Sequence, residues 1–131
     1  MKTVRQFILI GAVLGFTGVA LGAFGAHGLE SILVENGREG TFQTASEYQM
    51  VHALALLAVA WMLSSGKFAS TLLMRAGYFF VAGTVIFSGS LYILAILDLR
   101  FMGAIAPIGG ACLLVGWGLL GYAGWTMDVK D

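Results

Sequence analysis

The chain has 131 residues, of which 59% are hydrophobic and 11% are charged, and its formal net charge at pH 7 is zero. An ordinary soluble domain is about 45–50% apolar and about 25% charged, so this composition excludes a typical soluble globule and a disordered chain. Because no basic surplus attracts nucleic acid either, the composition predicts an integral membrane protein.

Four apolar stretches are each long enough to cross about 30 Å of hydrocarbon as an α-helix. They cover residues 7–26, 42–63, 72–97 and 101–127. The first and fourth stretches contain no charged residue, whereas the second contains Glu47 and His52. We therefore predict an all-α polytopic membrane protein, a four-transmembrane-helix bundle that forms a single membrane domain over residues 1–131.

A polar segment, residues 28–41, separates the first two apolar stretches. It carries three glutamates and only one arginine, a composition that suits the outer face of a membrane. Within it, Leu29, Ile32 and Leu33 have helical spacing. We therefore expect a short external segment after the first helix, folded as an interfacial helix.

The distribution of lysine and arginine predicts the orientation in the membrane. Four spans put both termini on one side, together with five of the seven basic residues: Lys2, Arg5, Lys67, Arg75 and Lys130. Arg38 and Arg100 would lie on the other side. The positive-inside rule then predicts cytoplasmic termini. A cleaved signal peptide is the alternative for the first stretch, which is long for such a peptide.

Glycines follow one side of the first predicted helix. They are spaced four, three, four and three residues apart: Gly11, Gly15, Gly18, Gly22 and Gly25. Lipid provides no hydrophobic attraction between helices, so small residues that let backbones approach closely stabilise their packing. We expect this stripe to face another helix of the chain, with a dimer contact as the alternative. The glycines of the fourth stretch lie on several faces, which predicts neighbours on two sides.

Polar side chains inside the apolar stretches are candidate site residues, because burying them in lipid is costly. The candidates are His27, Glu47, Tyr48, Gln49, His52, Ser88, Tyr92 and Pro107. The helical rise places Glu47, Tyr92 and Pro107 about 7 Å deep, and His52 and Ser88 about 15 Å deep. We therefore predict a network of two layers: Glu47, Tyr92 and His27 above, and Gln49, His52 and Ser88 below.

This network admits a structural and a functional interpretation. Interhelical polar bonds fix the order of helices, whereas a histidine at mid-membrane is suited to proton transfer or ligand contact. His27 and His52 differ in depth by about 15 Å, so the sequence predicts neither a metal site nor a bis-histidine haem, and no cofactor. No catalytic motif is present, so an enzyme is not the favoured interpretation.

Several motifs surround these polar residues. They are Gly22-Ala23-Phe24-Gly25-Ala26-His27-Gly28-Leu29, then Phe42, Ala45, Tyr48-Gln49 and His52-Ala53-Leu54-Ala55-Leu56, then Phe87-Ser88-Gly89-Ser90-Leu91-Tyr92, and last Pro107-Ile108-Gly109-Gly110 with Gly116-Trp117. Over nearly the whole chain this set resembles the domain-of-unknown-function 423 family of small bacterial inner-membrane proteins, to which eukaryotic transmembrane protein 256 is similar. The resemblance implies a four-span protein of the bacterial inner membrane and no biochemical activity.

Three functions fit these observations. The first is an accessory or structural membrane protein that binds a second copy of itself or another membrane protein, with the lipid bilayer around it and no nucleic-acid partner. The second is a small proton-coupled transporter that acts as an oligomer, with His52 at its centre. The third is a lipid- or quinone-binding membrane subunit with a cleft lined by Tyr48, His52 and Tyr92.

Overall fold

The computed structural model describes residues 1–127, which contain helices and no strand. The helices are α1 (Lys2–Ala26), α2 (Glu30–Asn36), α3 (Glu39–Ser65), α4 (Ser70–Leu97) and α5 (Met102–Trp125). The helices α1, α3, α4 and α5 are long and apolar enough to cross a membrane, and they correspond to the four predicted stretches. The predicted all-α fold with four membrane-spanning helices is confirmed.

The short helix α2 confirms the helix expected in the polar segment. Next to it, the Asn36 side-chain amide donates hydrogen bonds to the carbonyl oxygens of Ala95 and Ile96, at 3.0 and 3.2 Å. The Arg38 guanidinium forms an ion pair with the Asp98 carboxylate at 3.1 Å. These contacts fasten the corner between α2 and α3 to the C-terminal end of α4.

The four long helices pack in chain order. Helix α1 packs against α3, α3 against α4, and α4 against α5, while α1 meets α4 over a short length. At that meeting point the Phe7 ring lies edge-on to Tyr78, with ring centroids 5.2 Å apart. Within residues 1–127 the backbone of α5 comes close only to that of α4, so the bundle is open between α1 and α5.

The expectation that α5 has neighbours on two sides holds only in part, because α4 packs along it whereas α3 meets it only through side chains such as Trp117. A Cβ atom at Gly109 would collide with the backbone of Phe87, and one at Gly116 would lie 2.7 Å from the Phe80 ring. These two glycines let α5 approach α4 closely. A Cβ atom at Gly118 would instead meet open space. Small residues permit close packing, but they do not require a partner on every face where they occur.

The glycine stripe of α1 faces α3 along most of its length. A Cβ atom built on any of four stripe glycines would lie within 3.4 Å of an α3 side chain; these are Gly11, Gly18, Gly22 and Gly25. At Gly15 an added Cβ would meet nothing within 4 Å. The stripe therefore lies in an interface within the chain at four positions, and Gly15 lies outside that contact.

Large apolar side chains fill the interior between α1, α3 and α4. Phe7, Leu56, Val59, Leu73 and Phe80 are each at most 1% exposed. The outward surface is apolar as well, and includes exposed phenylalanine, leucine and tryptophan side chains. Apolar groups on both the inside and the outside suit a protein whose surroundings are hydrocarbon.

Candidate functional site

The Gln49 side chain connects three helices through hydrogen bonds, and we call this group of contacts the Gln49 junction. Gln49 is buried on α3, and its side-chain amide nitrogen donates hydrogen bonds to the Leu14 carbonyl and to the Thr17 hydroxyl of α1, both at 2.8 Å. Its amide oxygen accepts a hydrogen bond of 2.8 Å from the Tyr92 hydroxyl of α4. Gly18 lets α1 approach α3 closely beside this junction, because a Cβ atom there would lie 2.7 Å from the Met50 sulfur.

The polar groups of this junction satisfy one another. Both N–H groups and the oxygen of Gln49 have partners, and the Thr17 hydroxyl donates onward to the Val13 carbonyl at 2.8 Å. A buried amide with a full set of partners avoids the cost of unsatisfied polar atoms in an apolar medium. The Gln49 junction is therefore arranged to hold α1, α3 and α4 together.

His52 lies one helical turn beyond Gln49, and both of its ring nitrogens have partners. Its Nδ1 atom is 2.7 Å from the Tyr48 carbonyl oxygen, and its Nε2 atom is 3.1 Å from the Trp117 indole nitrogen of α5. A carbonyl oxygen only accepts and an indole N–H only donates, so Nδ1 carries the hydrogen and Nε2 is the acceptor. These partners specify the neutral imidazole, because a second ring proton on Nε2 would face the indole N–H.

Aromatic rings surround His52 on three helices. Its ring centroid is 5.6 Å from that of Phe80 and 5.9 Å from those of Tyr48 and Trp117. Phe80 and Trp117 meet edge to face at 5.0 Å, and Tyr48 packs against Phe87 at 4.6 Å. Such pairs orient one another, so the imidazole is held in a rigid aromatic setting.

A groove opens beside this aromatic cluster, between α3 and α5, with α4 beneath it. Its volume is about 500 Å³, and we call it the α3–α5 groove. The groove is lined by Tyr48, His52, Phe87, Pro107, Gly110, Ala111, Leu113, Leu114 and Trp117. It exists because the backbone of α5 approaches only that of α4, and because Gly110 and Ala111 put almost no side chain into it.

The two predicted polar layers are not present as predicted. Ser88 is buried, but its hydroxyl donates to the Ala45 carbonyl at 2.8 Å, not to Gln49 or His52. The lower layer therefore consists of separate contacts, and Ser88 bonds to α3 seven residues before His52. Helical spacing gives the position of each side chain along its own helix, whereas its partner depends on how the helices are aligned and rotated.

The predicted upper layer is wrong for Glu47 and His27. Glu47 is exposed and accepts a hydrogen bond of 2.8 Å from the Gln43 side chain of its own helix. His27 is exposed just after the last residue of α1. Tyr92 bonds instead to Gln49, which lies two residues after Glu47. Two residues correspond to about 200° around a helix, so Glu47 and Gln49 cannot both face the interior.

Three residues of the site were not among the sequence candidates. They are Trp117, whose indole bonds to His52, Thr17, whose hydroxyl bonds to Gln49, and Phe87, which lines the groove. Thr17 precedes Gly18 and lies about 100° around α1 from it, so the glycine stripe alone does not place its hydroxyl at Gln49. The role of Trp117 depends on the placement of α5, which the spacing of glycines did not determine.

A smaller cavity of about 280 Å³ lies between α1, α2 and the start of α3. Its lining includes the carboxylates Glu30, Glu39 and Glu47 together with Gln43 and Ser46. Across residues 1–127, no three histidine, cysteine, aspartate or glutamate side chains come together as a metal-binding group. Its three carboxylates make this cavity an acidic recess at the α2 end of the bundle.

Comparison with known proteins gives one consistent family. The family model described as "Protein of unknown function (DUF423)" matches residues 21–110. The UPF0382 membrane protein YwdK of Bacillus subtilis is 41% identical over 115 residues, which cover 86% of this chain and 90% of the relative. The UPF0382 inner membrane protein YgdD of Escherichia coli (strain K12) is 42% identical over 120 residues, which cover 90% and 88%. No solved structure matches.

Proposed function

The chain belongs to the DUF423 family as a multi-pass integral membrane protein, and from this premise we propose that it is an accessory protein that binds an apolar membrane component in the α3–α5 groove. The observation that carries the proposal is the groove itself, about 500 Å³ in volume and open on the side of α5 that no helix covers. Ligand sites in proteins are concave, mostly apolar and supplied with few polar groups, and this groove has those properties.

The hydrogen bonding around the groove favours binding over a reaction. Both nitrogens of His52 have partners, and so have all the polar groups of Gln49. A proton carrier at His52 would have to release the Trp117 indole in every cycle, at the cost of a hydrogen bond in an apolar environment. The polar side chains are thus suited to fixing the helices, and the groove is suited to an apolar ligand.

Blocking the groove tests this proposal. In Gly110→Leu the new side chain would fill the groove, because a Cβ atom at Gly110 already lies 3.8 Å from the Phe87 ring. Gly118→Leu is the matched control on the same helix, where a Cβ atom meets open space outside the groove lining. Each protein would be purified in mild detergent and weighed by native mass spectrometry.

We expect the wild-type protein and Gly118→Leu to retain a bound membrane component that Gly110→Leu has lost. Loss of either a bound lipid or a bound protein would support the proposal, because the proposal states where a component binds and not which kind it is. If all three proteins carry the same components in the same amounts, the groove is not a binding site and the proposal is wrong.

We also propose that both termini face the cytoplasm and that the protein resides in the bacterial cell membrane. The proposal is supported by the basic residues Lys2, Arg5, Lys67 and Arg75, which lie at the terminal end of the bundle, while Lys130 lies outside the described residues. It is also supported by the inner-membrane name of the Escherichia coli relative. In a Cys112→Ala background, Ser31→Cys in α2 should react with a membrane-impermeant maleimide in intact cells. Ser65→Cys, at the end of α3, should react only after permeabilisation. The reverse pattern would contradict the proposed orientation.

A further inference from the structure

We infer that the α3–α5 groove holds a single hydrocarbon chain of a membrane lipid, from the leaflet on the α2 side. This inference rests on the proposed function and specifies the class of ligand. It follows from three properties of the groove, which are its length, its position along the helices and the chemistry of its lining.

The length of the groove matches the thickness of the hydrocarbon layer of one leaflet. Along α5 its lining runs from Pro107 to Trp117, eleven residues that span about 15 Å at the helical rise. The hydrocarbon core of a bilayer is about 30 Å thick, so each leaflet contributes about 15 Å. A lipid chain fits this length. A membrane-spanning helix of a partner would need a contact surface that continues through both leaflets.

Most of the groove lies in the half of α5 that begins at the α2 end of the bundle. Pro107 is five residues after the start of α5, about 8 Å from that end, and Trp117 is about 22 Å from it. Helix α5 has 24 residues and is about 36 Å long, so the groove stops just past its midpoint. There the hydrogen bond from Trp117 to His52 crosses from α5 to α3 and closes the inner end.

The lining offers hydrocarbon contacts and no charge. Apart from Tyr48 and His52, the residues that line the groove carry apolar side chains or none, with the indole of Trp117 already bonded. Leu114 is 75% exposed at the groove. Between two hydrocarbon phases the binding energy comes from close packing rather than from the hydrophobic effect. We therefore expect a chain that is held by shape and that exchanges with the surrounding lipid.

The test uses a phosphatidylglycerol that carries a photoreactive diazirine near the middle of one acyl chain. The intact protein is reconstituted into vesicles containing this lipid, irradiated and digested, and the labelled peptides are quantified. The blocking variants are Gly110→Leu and Leu114→Trp. The second one keeps the experiment interpretable if the first fails to fold, because the Leu114 side chain points away from the core. Gly118→Leu is the control.

In the wild-type protein and in the control we expect labelling to concentrate on residues 107–117 of α5. In both blocking variants this labelling should fall about fivefold, which corresponds to about 1 kcal/mol of lost binding. Labelling of the outward face of α1 around Phe16, which is 78% exposed, should stay unchanged. Equal labelling of the groove and of Phe16 would overturn the inference, because it would mean ordinary lipid contact.

The failure of this inference can be distinguished from the failure of the proposed function. If the blocking variants lose a bound protein, such as a second copy of the chain, while lipid labelling stays constant, the groove binds a protein and only the inference is wrong. If the blocking variants change neither the lipid labelling nor the retained components, the inference and the proposed function are both wrong.

Discussion

Replacing Gln49 by leucine tests whether the polar junction holds the helices together. The change keeps the side-chain volume nearly constant, so the cost of creating a cavity is small. It removes three interhelical hydrogen bonds, to the Leu14 carbonyl, the Thr17 hydroxyl and the Tyr92 hydroxyl. Interhelical hydrogen bonds in membrane proteins contribute about 0.6 kcal/mol each on average, so the free energy of unfolding should fall by about 2 kcal/mol.

The assay is reversible unfolding in mixed micelles with increasing dodecyl sulfate, followed by helix content. Gln43→Leu is the control, because the Gln43 amide is exposed and bonds only to Glu47 on its own helix, and its cost should stay within about 0.5 kcal/mol. A double-mutant cycle with Tyr92→Phe should give a coupling energy of about 0.6 kcal/mol. If Gln49→Leu unfolds within about 0.5 kcal/mol of the wild-type protein, the junction does not stabilise the bundle.

Other predictions use the same unfolding assay. Gly109→Ala puts a methyl group against the α4 backbone and should lower the free energy of unfolding by about 1–3 kcal/mol. The control Gly118→Ala should be neutral or slightly stabilising. Equal stabilities of the two variants would contradict the close α4–α5 contact. Asn36→Ala removes the donor to two carbonyls at the end of α4, and it should cost about 1 kcal/mol of stability at any salt concentration. Asp98→Asn breaks a partly exposed ion pair, so its effect on stability should be smaller and should shrink in high salt. Trp117→Phe keeps a ring but removes the indole N–H, and should cost about 0.6 kcal/mol; an unchanged stability would argue against the bond to the imidazole.

The membrane-spanning helices could be predicted from sequence because lipid leaves the backbone few choices. Without water to bond to, a segment in hydrocarbon satisfies its N–H and C=O groups within one helix, so a long apolar stretch specifies a helix. The inward face of α3 could also be predicted, since Ala45, Gln49, His52 and Leu56 share one side at helical spacing and all four are buried.

The partners of the polar residues could not be predicted, because they depend on the rotation of each helix and on which helices are neighbours. Depth alone placed Glu47 beside Tyr92, yet Glu47 lies on the outside of α3. The contact between His52 and Trp117 joins side chains 65 positions apart, on helices that touch chiefly through such side chains. A single sequence contains no direct signal for a pair of this kind.

The chain-order packing of the four long helices has a consequence for how the protein assembles during synthesis. Apart from the short meeting of α1 with α4, each newly inserted helix finds its packing partner in the helix inserted just before it. Contacts that are local along the chain form quickly and expose little unpaired surface during folding. The bundle can therefore be completed one helix at a time as the ribosome delivers it, with α5 added last to a three-helix unit that is already packed.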